Sequence, residues 1–316
     1  MASLLEIKKT LQDKILKAKL NLKKELGEIL KGTPLTENFD LFDSAYSFEK
    51  LKSFILQIAI NGKLFSQNSK NESAKELLNK IEKEKEKLNS GDKSKKEKAI
   101  APISIEEVPY NLPNGWEWCR LGGISKYIQR GKSPEYTEHS EIPVISQKCI
   151  QWSGFDIKKA RFITKNSFEK YEKNRFLENR DLLWNSTGLG TVGRLCIYEE
   201  SLNPFKIAVA DSHVTIVRLF KELVVPEFAL LWLSSKFIQE NLKVSGSTKQ
   251  KELALTTIKD QIFPLPPLVE QKEVVKKVGI LMGYCNELEK LIRENQENSE
   301  GLMGAVLKES FENGKL

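Results

Sequence analysis

The chain has 316 residues, of which 40% are hydrophobic and 29% charged, with a formal net charge of +7. That is enough for two units of ordinary size or for one domain with long helical extensions. No apolar run approaches the roughly 18–20 residues of a membrane span, and the opening MASLLEIKKTLQDKILKAKL interleaves Lys, Asp and Glu with Leu and Ile, unlike a signal peptide, so a cytoplasmic chain without membrane contact is expected. Cys119, Cys149, Cys196 and Cys285 form no CxxC pair, and the chain has only 2 histidines, so reduced thiols are expected and neither a zinc site nor a disulfide framework is indicated. The segment 110–266 carries 22 Lys/Arg against 17 Asp/Glu, an excess that suits a polyanion such as nucleic acid.

In chain order, Leu4, Leu11, Ile15, Ala18, Leu22, Leu26 and Ile29 recur at helical spacing and predict an amphipathic helix over 3–30, stopped by Gly32-Thr33-Pro34. A second helix is expected at about 44–60, closed by Asn61-Gly62 as a left-handed C-cap, and a charged third at 72–88. NSGDKSKKEKA (89–99) reads as a linker. From about Val108 the runs PVISQ, RFIT, DLLWNS, RLCIYE and HVTIVRLF, separated by Gly, Pro, Asn and Ser, predict short strands, with PEFALLWLSSKFIQENL as an internal helix. After Pro266-Pro267 a long helix is expected whose heptad positions take Leu268, Val275 and Met282 together with Val278, Cys285 and Ile292; Val274, Leu281 and Leu288 lie alongside, and Gln271 and Glu289 interrupt. That stripe needs a partner helix. One internal repeat is visible, LKSFILQIAINGKL (51–64) against MGAVLKESFENGKL (303–316). The fold class is therefore α+β: a mixed α/β domain with a twisted sheet, plus long amphipathic helices. The chain divides into three regions: helices and charged linker (1–100), a mixed domain (101–266) and a long helix (267–316).

GLGTVG (188–193) spells a GxGxxG fingerprint after DLLW, which raises a nucleotide-cofactor enzyme. The next residues, RLCIYEE, are a β-type run rather than a helix, so a glycine-rich loop between two strands is the better account. Asp260 with Glu270-Gln271-Lys272 imitates a metal nuclease, but the prolines between them put these groups on a loop and a helix. No phosphate loop ending in Gly-Lys-Ser/Thr occurs, and His139 and His213 have no evident nucleophile partner. Four polar clusters stand on expected loops: Arg130, Lys132, Ser133 and Tyr136; Gln147, Lys148, Gln151 and Trp152; Asn185, Ser186, Thr187 and Arg194; and Ser245 to Gln250, including Lys249. Arg and Lys pair with guanine, Gln with adenine, and Ser or Thr with phosphate or base, so these are the candidate DNA contacts. A coiled-coil scaffold without DNA contact is the competing reading.

The segments LPNGWEWCRLGGI (112–124), DLLWNSTGLGTVGRLCIYEE (181–200), GSTKQKELALTTIKDQIFPLPPLVEQKEVVKKV (246–278) and FILQIAINGKLFSQN (54–68) resemble the DNA specificity subunit of type I restriction-modification systems. The LPPLVEQ junction is the most specific of them. The resemblance implies a non-catalytic chain whose target-recognition domain, 101–266, reads one half of a bipartite double-stranded DNA sequence, with helices packed as an antiparallel coiled-coil spacer. It implies methyltransferase subunits that bind S-adenosylmethionine and a restriction subunit that uses ATP and Mg; this chain itself binds no cofactor and no metal. A full member carries two recognition domains, whereas one is found here, so the chain looks like a half-subunit. Two copies are expected to pair through Leu268, Val275, Val278, Met282, Cys285 and Ile292, or one copy with a second specificity chain.

Overall fold

A computed structural model describes residues 2–30, 45–64, 72–89, 100–138, 140–247 and 250–312. The chain falls into two compact units, Gln67–Glu273 and Met1–Ser66 together with Val274–Leu316. Among the described residues no helix is long and apolar enough to cross a membrane.

The smaller unit is helical. It contains α1 (Ala2–Leu30), α2 (Ala45–Ile60) and most of the C-terminal helix, Leu268–Glu312. Leu11, Ala18, Leu22 and Leu26 of α1 are buried, as are Phe48, Leu51, Ile55, Ile58 and Ala59 of α2. On the C-terminal helix the buried row is Val274, Val278, Leu281, Cys285 and Leu288, at alternating steps of four and three. Of the positions expected to form the stripe, Val278 and Cys285 are in this row, whereas Leu268, Val275, Met282 and Ile292 are only half-buried. The seam therefore turns by one residue, from the line 268/275/282 to the line 274/281/288, because the chain's own helices cover that face. Glu25 of α1 pairs with Lys277, and Lys52 of α2 lies 2.6 Å from Glu289. Gln12, Ile15 and Leu16 line a cavity with Ile292 and Asn295, so α1 runs antiparallel to the C-terminal helix. The cap at Asn61-Gly62 forms as expected: Gly62 has φ 67°, its N–H donates to the Ala59 carbonyl at 3.1 Å, and Lys63 N–H donates to that of Ile58 at 2.9 Å. The linker stretch 90–99, His139, Lys249 and the terminal repeat residues 313–316 lie outside the described residues.

The larger unit begins with α3 (Ala74–Asn89), which joins the mixed domain instead of the N-terminal helices: Ala74, Leu77 and Ile81 are buried, and Lys85 Nζ donates to the Gly122 carbonyl at 2.6 Å. The strands come in the order β1 (Glu117–Arg120), β2 (Ser125–Arg130), β3 (Tyr136–Thr137), β4 (Pro143–Ile145), β5 (Ile150–Gln151), β6 (Gly154–Phe155) and β7 (Arg161–Ile163). After helix α4 (Lys165–Glu169) come β8 (Leu182–Asn185), β9 (Leu195–Ile197), β10 (Val209–Ala210) and β11 (Val214–Leu219). The run 226–242, expected as one helix, is two, α5 (Pro226–Leu233) and α6 (Lys236–Glu240), because Ser235 leaves the helical conformation and its Oγ accepts from Ile238 N–H at 3.4 Å, starting a new helix. The hairpin β12 (Ser245–Ser247) and β13 (Gln250–Glu252), helix α7 (Leu255–Lys259), strand β14 (Ile262–Leu265) and helix α8 (Leu268–Glu312) complete the chain. The central sheet is antiparallel in the order β2-β11-β8-β9, a second sheet runs β10-β4-β7-β3 with β10 parallel to β4, and β1 pairs with β14. Between them Ile145, Ile150, Leu183, Cys196, Val214 and Ile216 form a buried core. All four cysteines are buried thiols, and burial pushes those of Cys149 and Cys285 up to about 11.

Pro266 and Pro267 keep the helix from starting earlier, and its first turn is held by polar bonds inside the larger unit. Glu270, 2% exposed, accepts from Trp116 Nε1 at 2.7 Å. Gln271, fully buried, accepts from Val225 N–H at 2.7 Å and donates to the carbonyls of Pro266 at 2.9 Å and Leu223 at 3.3 Å. Glu270 is thus committed to Trp116 at the start of the helix. Replacing Gln271 by Leu leaves the Val225 N–H buried without an acceptor and is expected to cost about 1–3 kcal/mol. A urea titration should show a lower midpoint with unchanged slope, while Lys272→Leu, at an exposed neighbour, leaves the midpoint in place.

Candidate nucleic-acid interface

Three strand ends coincide on the central sheet. The register Thr215↔Arg130 and Val214↔Asn185 puts the end of β2, the end of β8 and the start of β11 side by side. The loops attached to them, at 131–134, 186–194 and 211–213, therefore emerge together. The β12-β13 hairpin joins them through Leu253 N–H to the Ser186 carbonyl at 2.7 Å and Gly188 N–H to that of Lys251 at 3.3 Å. The segment 147–151 closes the group through Gln147, whose Nε2 donates to the Thr187 carbonyl at 2.9 Å and to Thr187 Oγ1 at 2.8 Å. Described members of all four clusters, scattered over about 120 residues of sequence, thus meet at one end of one sheet.

The glycine-rich run 188–193 is the loop of an antiparallel hairpin between β8 and β9, not the opening of a helix. Its glycines serve the turn: Gly193 has φ 93°, and a Cβ there would lie 2.7 Å from Gln239 Oε1. Gly131 is required by close approach, since its Cβ would stand 2.0 Å from the Ala210 carbonyl oxygen. These facts account for the glycines of the fingerprint.

Within the group, buried and exposed polar residues divide the work. Arg130 donates to Glu252 Oε1 at 2.5 Å and to the Leu253 carbonyl at 2.6 Å. Asn185 and Ser186 are fully buried; Asn185 Nδ2 reaches the Gln147 carbonyl at 3.3 Å, and the Ser186 hydroxyl meets that of Thr215. Thr187 is 5% exposed and faces His213 Nδ1 at 2.6 Å. These side chains hold loops together. Lys132 donates to the Lys170 carbonyl at 2.7 Å with its ammonium over the Tyr171 ring, and Ser133 bonds Ser212 at 3.0 Å. Arg194 bridges the Gly190 carbonyl at 2.8 Å and Gln151 Oε1 at 3.2 Å, so that the glycine loop and the β5-β6 hairpin are tied. At the tip of that hairpin Trp152 is 58% exposed, and Lys148 is exposed nearby. Gln250 is a strand residue opposite Ser247.

Exposed residues that carry no signal in the sequence stand in the same place: His213, Lys251 and Leu189, the last 60% exposed. Tyr136 carries the Arg161 guanidinium 3.3 Å from its ring centroid. Asp211 beneath His213 is 3% exposed, and burial pushes its carboxyl above the usual range, against the His213 N–H it accepts at 2.8 Å. Among the described residues no group of three or more His, Cys, Asp or Glu is placed to hold a metal ion.

Residues 113–297 match the family profile described as the type I restriction modification DNA specificity domain. The chain belongs to this family. The specificity subunit of the Escherichia coli type I restriction enzyme EcoAI is 30% identical over 86% of this chain and 46% of its own length, and that of EcoEI, also from E. coli, is 27% identical over 86% and 47%. This specificity-domain chain thus spans about half the length of those curated relatives. Among solved structures, a chain of a type I R-M system studied for complex assembly and conformational transition is 17% identical, with 88% of this chain and 60% of that one covered at a TM-score of 0.49.

The division between holding and exposed residues has a measurable consequence in this specificity-domain chain. Arg130→Ala is expected to cost about 1–2 kcal/mol of stability, since it strips a partly buried carboxylate and a carbonyl of their donors. Lys148→Ala and Trp152→Ala are expected to stay within about 0.5 kcal/mol of the parent while weakening DNA binding, which chemical denaturation and a binding titration on the same samples would show.

Proposed function

We propose that this chain is the DNA-recognition subunit of a type I restriction-modification complex, that it reads one half of a bipartite target, and that it does so as a homodimer. The observation that carries the reading is the convergence of the four polar clusters, with Trp152, Lys148, Ser133, His213 and Lys251 on the open side and Arg130, Asn185, Ser186 and Thr187 underneath. A rigid backing with exposed donors and one aromatic ring is what base reading in a major groove requires; phosphate contacts from Lys and Ser set the register, and a few side chains discriminate bases. The chain carries recognition alone. Methyl transfer with S-adenosylmethionine and the ATP- and Mg-dependent steps belong to methyltransferase and restriction subunits, which it positions.

Pairing of two copies is supported by the internal repeat. In α2, Leu51 and Ile55 are fully buried, whereas their counterparts in α8, Met303 and Leu307, are 66% and 46% exposed. The C-terminal segment therefore presents a second, uncovered version of a core-forming helix face, and an equivalent segment from another copy supplies matching chemistry.

The test is genome-wide adenine methylation mapping in cells carrying the partner methyltransferase, with and without this chain. The expected result is a chain-dependent, bipartite motif with symmetric halves. An asymmetric motif would replace the homodimer by pairing with a second specificity chain, and a pattern indifferent to the chain would leave the scaffold reading.

A further inference from the structure

His213 lies on the turn before β11, in the middle of the loop group, and its backbone is fixed on both sides. Its N–H donates to Asp211 Oδ1 at 2.8 Å, its carbonyl accepts from Ser186 N–H at 2.8 Å, and the adjacent Ser212 hydroxyl is held by Ser133 at 3.0 Å. The ring is exposed, yet its Nδ1 stands 2.6 Å from Thr187 Oγ1. That hydroxyl already accepts from Gln147 Nε2 at 2.8 Å. A hydroxyl gives one proton and accepts at two sites, so with one acceptor site taken by Gln147 the Thr187 oxygen either donates to Nδ1 or accepts from it, and in both cases the contact holds the ring through Nδ1. The result is an exposed imidazole oriented through Nδ1, with Nε2 as the ring nitrogen left to bond a ligand.

We propose that His213 is a specificity-determining residue that makes one hydrogen bond from Nε2 to a base edge in the major groove. As a donor Nε2 meets purine N7, guanine O6 or thymine O4, and as an acceptor it meets the amino group of cytosine or adenine. With either tautomer the contact separates cytosine from guanine and thymine at the position it faces, while adenine fits both. The inference rests on the DNA-recognition reading above and adds to it the residue that reads one position.

The experiment uses the complete chain in complex with its methyltransferase partner and a set of duplexes in which each position of the mapped motif is permuted. The parent complex is expected to separate cytosine from guanine and thymine at one position of the half-site by about tenfold or more, in line with the worth of a specific base contact. His213→Ala, and His213→Asn as a second variant, are expected to lose discrimination at that one position and keep it at all others, with unchanged melting temperature. Thr187→Val, which removes the hydroxyl that holds the ring through Nδ1, should relax the same position. The proposal is overturned if both His213 variants discriminate like the parent at every position, if they lose affinity uniformly with a salt slope smaller by about one, the mark of a phosphate contact, or if they lose binding to every duplex alike. A parent complex with no chain-dependent motif would instead sink the recognition reading itself.

Discussion

Two buried polar side chains at the foot of α8 set the terms for the rest of the larger unit. Gln271 spends both ends of its carboxamide on the backbone of the segments before α5 and before α8, and Glu270 takes the indole N–H of Trp116. Around them Trp116 packs edge-on to Phe228 at 5.9 Å, Phe228 packs on Phe263 at 5.8 Å, and Trp232 donates to the Ile262 carbonyl at 2.7 Å. One polar knot inside an aromatic shell thus ties β1, β14, α5 and the helix start into a single block. Buried polar groups with every partner in place add geometric definition that apolar packing alone does not.

A second buried network defines the other end of the domain. Arg218 on β11 donates to Asp181 at 3.0 Å and 2.7 Å and to the Phe176 carbonyl at 2.6 Å, both charged groups being almost fully buried. It fixes the strand whose opposite end is preceded by His213. The loop group there is tied together in the same way: Gln147, Thr187, Asn185 and Arg130 are committed to neighbouring backbone or side chains. Reading a base with one or two hydrogen bonds demands that donors already point outward before the duplex arrives, because each side chain ordered on binding subtracts from the affinity.

How much of this is legible in the sequence depends on which signals are local. Strand runs and helix periodicity translate directly, and the glycine run is recognisable as a hairpin because RLCIYEE comes after it. The heptad register is less decidable. Val274 and Val275, or Leu281 and Met282, are interchangeable by hydropathy, and only the arrival of the chain's own helices selects the line 274/281/288. The break inside 226–242 turns on whether Ser235 caps or continues a helix, which tertiary packing decides.

The candidate site shows the same limit in polar form. Chemistry and loop placement bring Asn185, Ser186 and Thr187 together with Lys148 and Trp152, and nothing in a linear sequence says which of them turn inward. His213 has no partner nearby in sequence; its partner, Thr187, is 26 residues away and becomes adjacent only through the pairing of β8 with β11. On the proposed function, this end of the sheet is the surface that faces DNA. Hydrogen–deuterium exchange of the chain in its methyltransferase complex, with and without the duplex carrying its motif, distinguishes this surface from the rest of the domain. Protection is expected to concentrate at 147–152, 187–194, 211–213 and 250–252, and protection confined to the far side, around 101–107 and 256–261, would refute the assignment.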